Sequence, residues 1–123
     1  MKKDRNQNSR IKFQNFQISI IKNSLQHWID IDLEKFGGLG VEKVKSVLDF
    51  IKLKTLQIKN EYTLNLDCEQ MLCIHGAVAE DYLDYKIIEK DVAMKICNDI
   101  EGIVRKNYQL CVIDIVHPTH EWK

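Results

Sequence analysis

The stretch DCEQMLCIHGAVAEDYLDY, residues 67–85, decides the fold. Asp67 followed three residues on by Gln70 is the pattern of a helix N-terminus in which each side chain satisfies the other's backbone N–H. Behind it Cys68, Met71, Leu72, His75, Ala79, Tyr82 and Leu83 recur at three- and four-residue steps. Ile74 and Val78 widen this stripe beyond what a single neighbour needs, which predicts a centrally packed helix with other helices arranged around it.

Three flanking segments supply those neighbours. Ile18, Ile21, Leu25, Trp28, Ile29 and Phe36 predict a helix over 17–36 that Gly37-Gly38 would stop. Alternation from Trp28 to Leu33 leaves a short strand as the competing reading there. Val41, Val44, Val47, Leu48, Ile51, Thr55 and Ile58 predict an outermost helix, with Glu42, Lys45, Asp49, Lys52 and Lys59 on its other side. Asp91 as N-cap, then Val92, Ile96, Cys97, Ile100, Ile103 and Val104, predict a fourth, with Arg105 and Lys106 near its negative end and Asn107 as a left-handed stop. Periodicity does not divide Ile11–Phe16 between strand and helix, and Tyr62–Leu66 reads as a linker or brief strand. The apolar run Tyr108–Val116 is assigned to a short fifth helix in preference to a buried strand. The expected fold is mainly α: a single compact bundle of four to five helices over residues 10–123, with room for a minor two-stranded element joining the chain ends, behind a frayed polar tail at 1–9.

Composition agrees with this class. A chain of 123 residues, 45% hydrophobic and 29% charged, lies in the range of ordinary globular domains, and one proline with five glycines leaves too few breakers for a many-stranded sheet. The opening MKKDRNQNSR lacks the apolar core of a secretory leader, and no long apolar run follows, so a cytoplasmic protein without a membrane partner is expected. Cys68, Cys73, Cys97 and Cys111 are then expected as reduced thiols filling core positions. Net charge is zero, yet residues 1–60 hold 12 Lys+Arg against 6 Asp+Glu, and residues 61–123 hold 6 against 12. Such lopsidedness either cancels where the halves pack together or leaves an acidic face for a basic partner.

Several chemistries fit poorly. On a helix Cys68 and Cys73 point about 140° apart, and Cys68 and His75 stand about 10 Å apart along the axis, too far to share a zinc ion. His117, His120 and Glu121 are better placed for a surface ion, but solvated histidines in a proline-containing tail are the commoner case. The cysteines fall on or near apolar stripes, where burial makes a thiol inert, and His75 is read as a core histidine satisfied by one hydrogen bond. Glu80, Asp81 and Asp84 could share magnesium, as acidic sets on two helices do in helical nucleotide pyrophosphohydrolases. A second set is missing, since Asp99 and Glu101 face different ways. Lys45, Lys52 and Lys59 would serve nucleic-acid binding, with Lys2, Lys3, Arg5 and Arg10 in support, but Glu42 and Asp49 interrupt them.

The acidic, tyrosine-bearing stretch Glu80-Asp81-Tyr82-Leu83-Asp84-Tyr85, continuing to Glu89 and Asp91, suits an interface: carboxylates steer a basic partner and tyrosine buries area with little entropy lost. In size, in lack of evident catalytic groups and in this face the chain is similar to small helical immunity proteins that neutralise basic nuclease toxins, a likeness of type that no motif carries. The expected function is a non-catalytic protein-binding module, an immunity- or antitoxin-like inhibitor that occludes a basic partner through Glu80, Asp81, Asp84, Tyr85 and Glu89, with no metal and no cofactor. The alternatives are a magnesium-dependent phosphohydrolase of the all-helical type and a nucleic-acid accessory protein using the basic half.

Overall fold

The computed structural model describes residues 1–38 and 40–123, so Leu39 of the glycine-rich stretch lies outside the described residues. The chain runs β1 (Ser9–Gln14), α1 (Asn15–Phe36), α2 (Val41–Lys54), β2 (Glu61–Leu66), α3 (Cys68–Leu83) and α4 (Lys90–Asn107). The fold is mainly α, with four helices and one two-stranded antiparallel sheet among the described residues.

α3 holds the middle, against α1 on one side and α4 on the other, while α2 packs chiefly on α1. Its start is the reciprocal cap read from the sequence: Gln70 N–H donates to Asp67 Oδ1 and Asp67 N–H to Gln70 Oε1, both at 2.9 Å. Met71, Ile74, Val78 and Ala79 are wholly buried, and burial of a large apolar side chain contributes about 1.5–3 kcal/mol. α1 ends where the glycines allow it. Gly37 (φ 69°) and Gly38 (φ 82°) turn left-handed, and Gly38 N–H bonds back to the Asp32 carbonyl at 3.1 Å. The segment from Trp28 to Leu33 is helical, not a strand.

The sheet resolves the two short segments. Ile11 lies opposite Leu64 and Phe13 opposite Tyr62, all four buried, while Arg10 and Lys12 face outward. The alternation became decisive only through this partner, because a period of two over six residues gains nothing until a second strand completes the buried face. The strands pair the start of the chain with its middle; they do not join its ends.

Four expectations are corrected. α2 stops at Lys54, short of Ile58: Thr55 Oγ1 donates to the Ile51 carbonyl at 2.7 Å, and the chain peels away to enter β2. α4 begins after Glu89, not Asp91, and ends on Tyr108 in extended conformation, with no left-handed stop at Asn107. Residues 108–116 form no fifth helix. Tyr108 is drawn out beside Lys3, its hydroxyl donating to the Gln7 carbonyl at 2.6 Å, and the rest of the run holds a 3-10 turn over Val112–Asp114, with a second at Thr119–Glu121 beyond it. Residues 1–9, read as a frayed tail, are held along their length. Lys3 N–H bonds the Asn107 carbonyl at 2.7 Å, the Arg5 carbonyl accepts Cys68 N–H at 3.1 Å, and Ser9 is buried.

Cys68, Cys73 and Cys97 are buried free thiols, whereas Cys111 is exposed on the loop that the missing fifth helix would have occupied. Burial pushes the Cys73 thiol up to about 11, the Cys97 thiol further, and the Cys68 thiol above its ordinary value against the pull of Arg5. None of the described helices is long and apolar enough to cross a membrane.

Candidate functional site

A groove of about 220 Å³ lies between α1 and the C-terminal end of α3. Trp28, Asp32 and Phe36 enter it from α1 at four-residue steps, with His27 beside them; Ala77, Glu80 and Asp81 enter from α3, and Asp84 and Tyr85, just past its end, complete the lining. The spacing places each set on one helix face. The volume lies below the roughly 300–1,000 Å³ of pockets that hold drug-sized molecules, so the groove suits a side chain better than a cofactor.

The groove carries more negative than positive charge. Asp32, buried, accepts the Gly40 N–H at 3.0 Å. Asp81, also buried, lies 2.7 Å from His27 Nδ1, whose N–H donates to the carboxylate. Glu80 and Asp84 have no basic side chain within 4.0 Å among the described residues. Desolvation, then the nearby charges of Asp84 and Asp81, push the Glu80 carboxyl above its ordinary value against the opposing pull of His117. The walls are aromatic: Phe36 is 63% exposed and Tyr85 38%, and the Tyr85 ring meets His27 edge-on at 4.8 Å. Trp28 lies across Gly76, where a Cβ would stand 3.5 Å from the indole.

Of the residues singled out by the sequence, Glu80, Asp81, Asp84 and Tyr85 are brought together here. Asp81 lies inward as a partner for His27, not on the surface. Glu89 is exposed at the N-terminus of α4 and does not line the groove. The other wall, Trp28, Asp32 and Phe36, was not foreseen as part of a site. Its signal was present, since Asp32 falls on the same four-residue row as Trp28 and Phe36, an acid set into an apolar stripe.

Much of the remaining charge asymmetry cancels inside the fold. Arg5 pairs with Glu69 and with Asp114 at 3.0 Å, Lys43 with Glu69 at 3.2 Å, and Lys12 stands 3.8 Å from Glu61. The Arg5 hydrogen bond, with that of Cys111 N–H, holds Asp114 below its ordinary range.

His75 is a core residue. Its Nε2 lies 2.8 Å from Glu101 Oε2, which also accepts Thr119 N–H at 3.0 Å. Burial depresses the imidazole below its ordinary 6.5 despite Glu101, so a neutral ring donating to a carboxylate is the favoured form. Trp122 stacks on Tyr82 at 5.1 Å and closes the same end of the core. His120 and Glu121 sit exposed and 3.9 Å apart. No cluster of three or more His, Cys, Asp or Glu side chains suited to a metal ion occurs among the described residues.

The chain matches no protein-family model, and comparison with curated proteins and with solved structures finds no match, so the reading of the groove rests on its own geometry.

Proposed function

We propose that the protein is a non-catalytic binding module that receives a cationic side chain of a basic protein partner in the groove between α1 and α3, occluding that partner in the manner of an immunity protein or antitoxin. The observation that carries this reading is the convergence of Asp32, Glu80 and Asp84 on a half-open cleft walled by Trp28, Phe36 and Tyr85. Partly desolvated carboxylates repel one another, and an arriving lysine or arginine relieves that repulsion while its charge lies over aromatic faces. Arginine suits the groove better than lysine, because its planar fork bonds two carboxylate oxygens and stacks on rings at once. The exposed aromatics supply apolar area for the contact surrounding the buried cation.

Recovery of the complex from the native host, with the wild-type chain and the double variant E80K/D84K as parallel baits, tests the proposal. A basic protein held by the wild type and lost from the variant is the expected result. Both substitutions replace side chains that are not fully buried, so the variant should keep its fold by circular dichroism. A partner that is acidic, or one retained equally by E80K/D84K, would overturn it.

A further inference from the structure

The opposite end of α1 carries a second surface of contrary character. Leu53, Leu56 and Ile58, at the end of α2 and in the link that follows, are 64%, 76% and 87% exposed. Phe16, in the first turn of α1, is 56% exposed and comes to the same end, because Asn15 N–H donates to the Asn60 carbonyl at 2.9 Å. Between Asp49 and Glu61 the chain holds Lys52, Lys54 and Lys59 and no acid. Glu61 itself is engaged by Gln14 at 3.0 Å and stands 3.8 Å from Lys12. The link is fixed in place. The Tyr62 hydroxyl, on a buried ring, donates to the Gln57 carbonyl and accepts Lys59 N–H, each at 3.0 Å, while Leu56 and Ile58 are left outside the core.

We infer that this end of the molecule docks on an anionic lipid bilayer, with Phe16, Leu53, Leu56 and Ile58 entering the headgroup region and Lys52, Lys54 and Lys59 meeting lipid phosphates. Four large apolar side chains projecting from a helix end and a fixed link require a shaped pocket each from a folded partner, whereas a fluid bilayer conforms to them. Apolar insertion and basic attraction are individually weak and act together, the two signals that peripheral attachment requires. The acidic groove does not oppose this docking. Phe16 and Asp32 are sixteen residues apart on α1, about 24 Å along its axis, against a screening length of about 8 Å at physiological salt. The sequence led to an expectation of no membrane partner because it shows no spanning segment; surface attachment needs none.

Co-sedimentation of the full chain with vesicles of phosphatidylcholine alone, and of phosphatidylcholine with phosphatidylserine, tests the inference. Binding to the anionic vesicles only, weakening as salt rises, is expected. Each lysine near an anionic surface is worth about a factor of five, so K52E/K54E/K59E should lose about 100-fold or more. L56S/I58S should lose about 10-fold or more with its circular dichroism unchanged, since neither residue is in the core. E80K/D84K should bind vesicles at least as well as the wild type, so this result does not depend on the groove proposal. Equal binding to neutral vesicles, undiminished binding of both patch variants, or displacement by inorganic phosphate at matched ionic strength would overturn it. So would the absence of binding to the anionic vesicles; a dimer that L56S/I58S dissociates would then make the patch a contact between copies.

Discussion

His75 is the residue whose chemistry most directly ties the interior to conditions outside. Its depressed pKa means that, as pH falls below 6.5, the unfolded chain takes up a proton that the folded chain resists. The stability contributed by the neutral ring is therefore complete above 6.5 and is lost as pH falls through the lower folded value. Denaturant midpoints should decline between about pH 7.5 and 5.5, ahead of most carboxylate titrations, and the decline should flatten in His75→Gln. A wild-type midpoint that rises as pH falls across that range would mean that Glu101 keeps the ring charged in the fold. The same residue illustrates what a one-dimensional reading can reach. A histidine on an inward stripe announces burial and one partner, but Glu101 lies 26 positions away, and only the packing of α4 on α3 brings the two together.

At the scale of elements, long periodic segments were legible and short ones were not. The existence of α1, α2, α3 and α4 follows from apolar spacing, because each stripe runs for several turns and buries the same face throughout. β1, β2 and the run 108–116 depend on partners distant in sequence: β2 for β1, and Lys3, Gln7 and Ser9 for Tyr108. α4 offers a clean probe of helix propensity. A Cβ added at Gly102 meets nothing within 4 Å and the residue is exposed, so Gly102→Ala should stabilise by about 1 kcal/mol and raise Tm by about 4 °C. A Tm that falls would indicate that the glycine serves the helix in a way its open surroundings do not reveal.

Across the whole molecule, Arg5 ties three distant regions: the N-terminal segment, Glu69 in the first turn of α3, and Asp114 in the loop after α4. These are partly exposed pairs, so Arg5→Ala should cost only about 1 kcal/mol globally. Its main effect should be faster amide exchange over residues 2–8 and 110–116, with α3 and α4 unaffected; a uniform increase throughout would mean that the ties are part of the global core. The same pairs explain why the charge imbalance between the two halves exaggerates the acidic face. Glu61, Glu69 and Asp114 are answered by basic residues of the first sixty, which leaves the groove carboxylates as a smaller and more local patch. Half of the candidate site was legible, because Glu80, Asp84 and Tyr85 lie close together in sequence; the α1 wall was not, because its acid and aromatics acquire a shared purpose only where α1 packs beside the end of α3. The most direct test of the groove as a cation-binding surface is the association rate with the captured basic partner, measured against ionic strength for the wild type and for E80Q/D84N. The wild-type rate should fall by about tenfold or more from about 0.01 to 0.15 M salt, and the neutralised variant should start slower and depend less on salt. Superimposable salt profiles for the two proteins would contradict it.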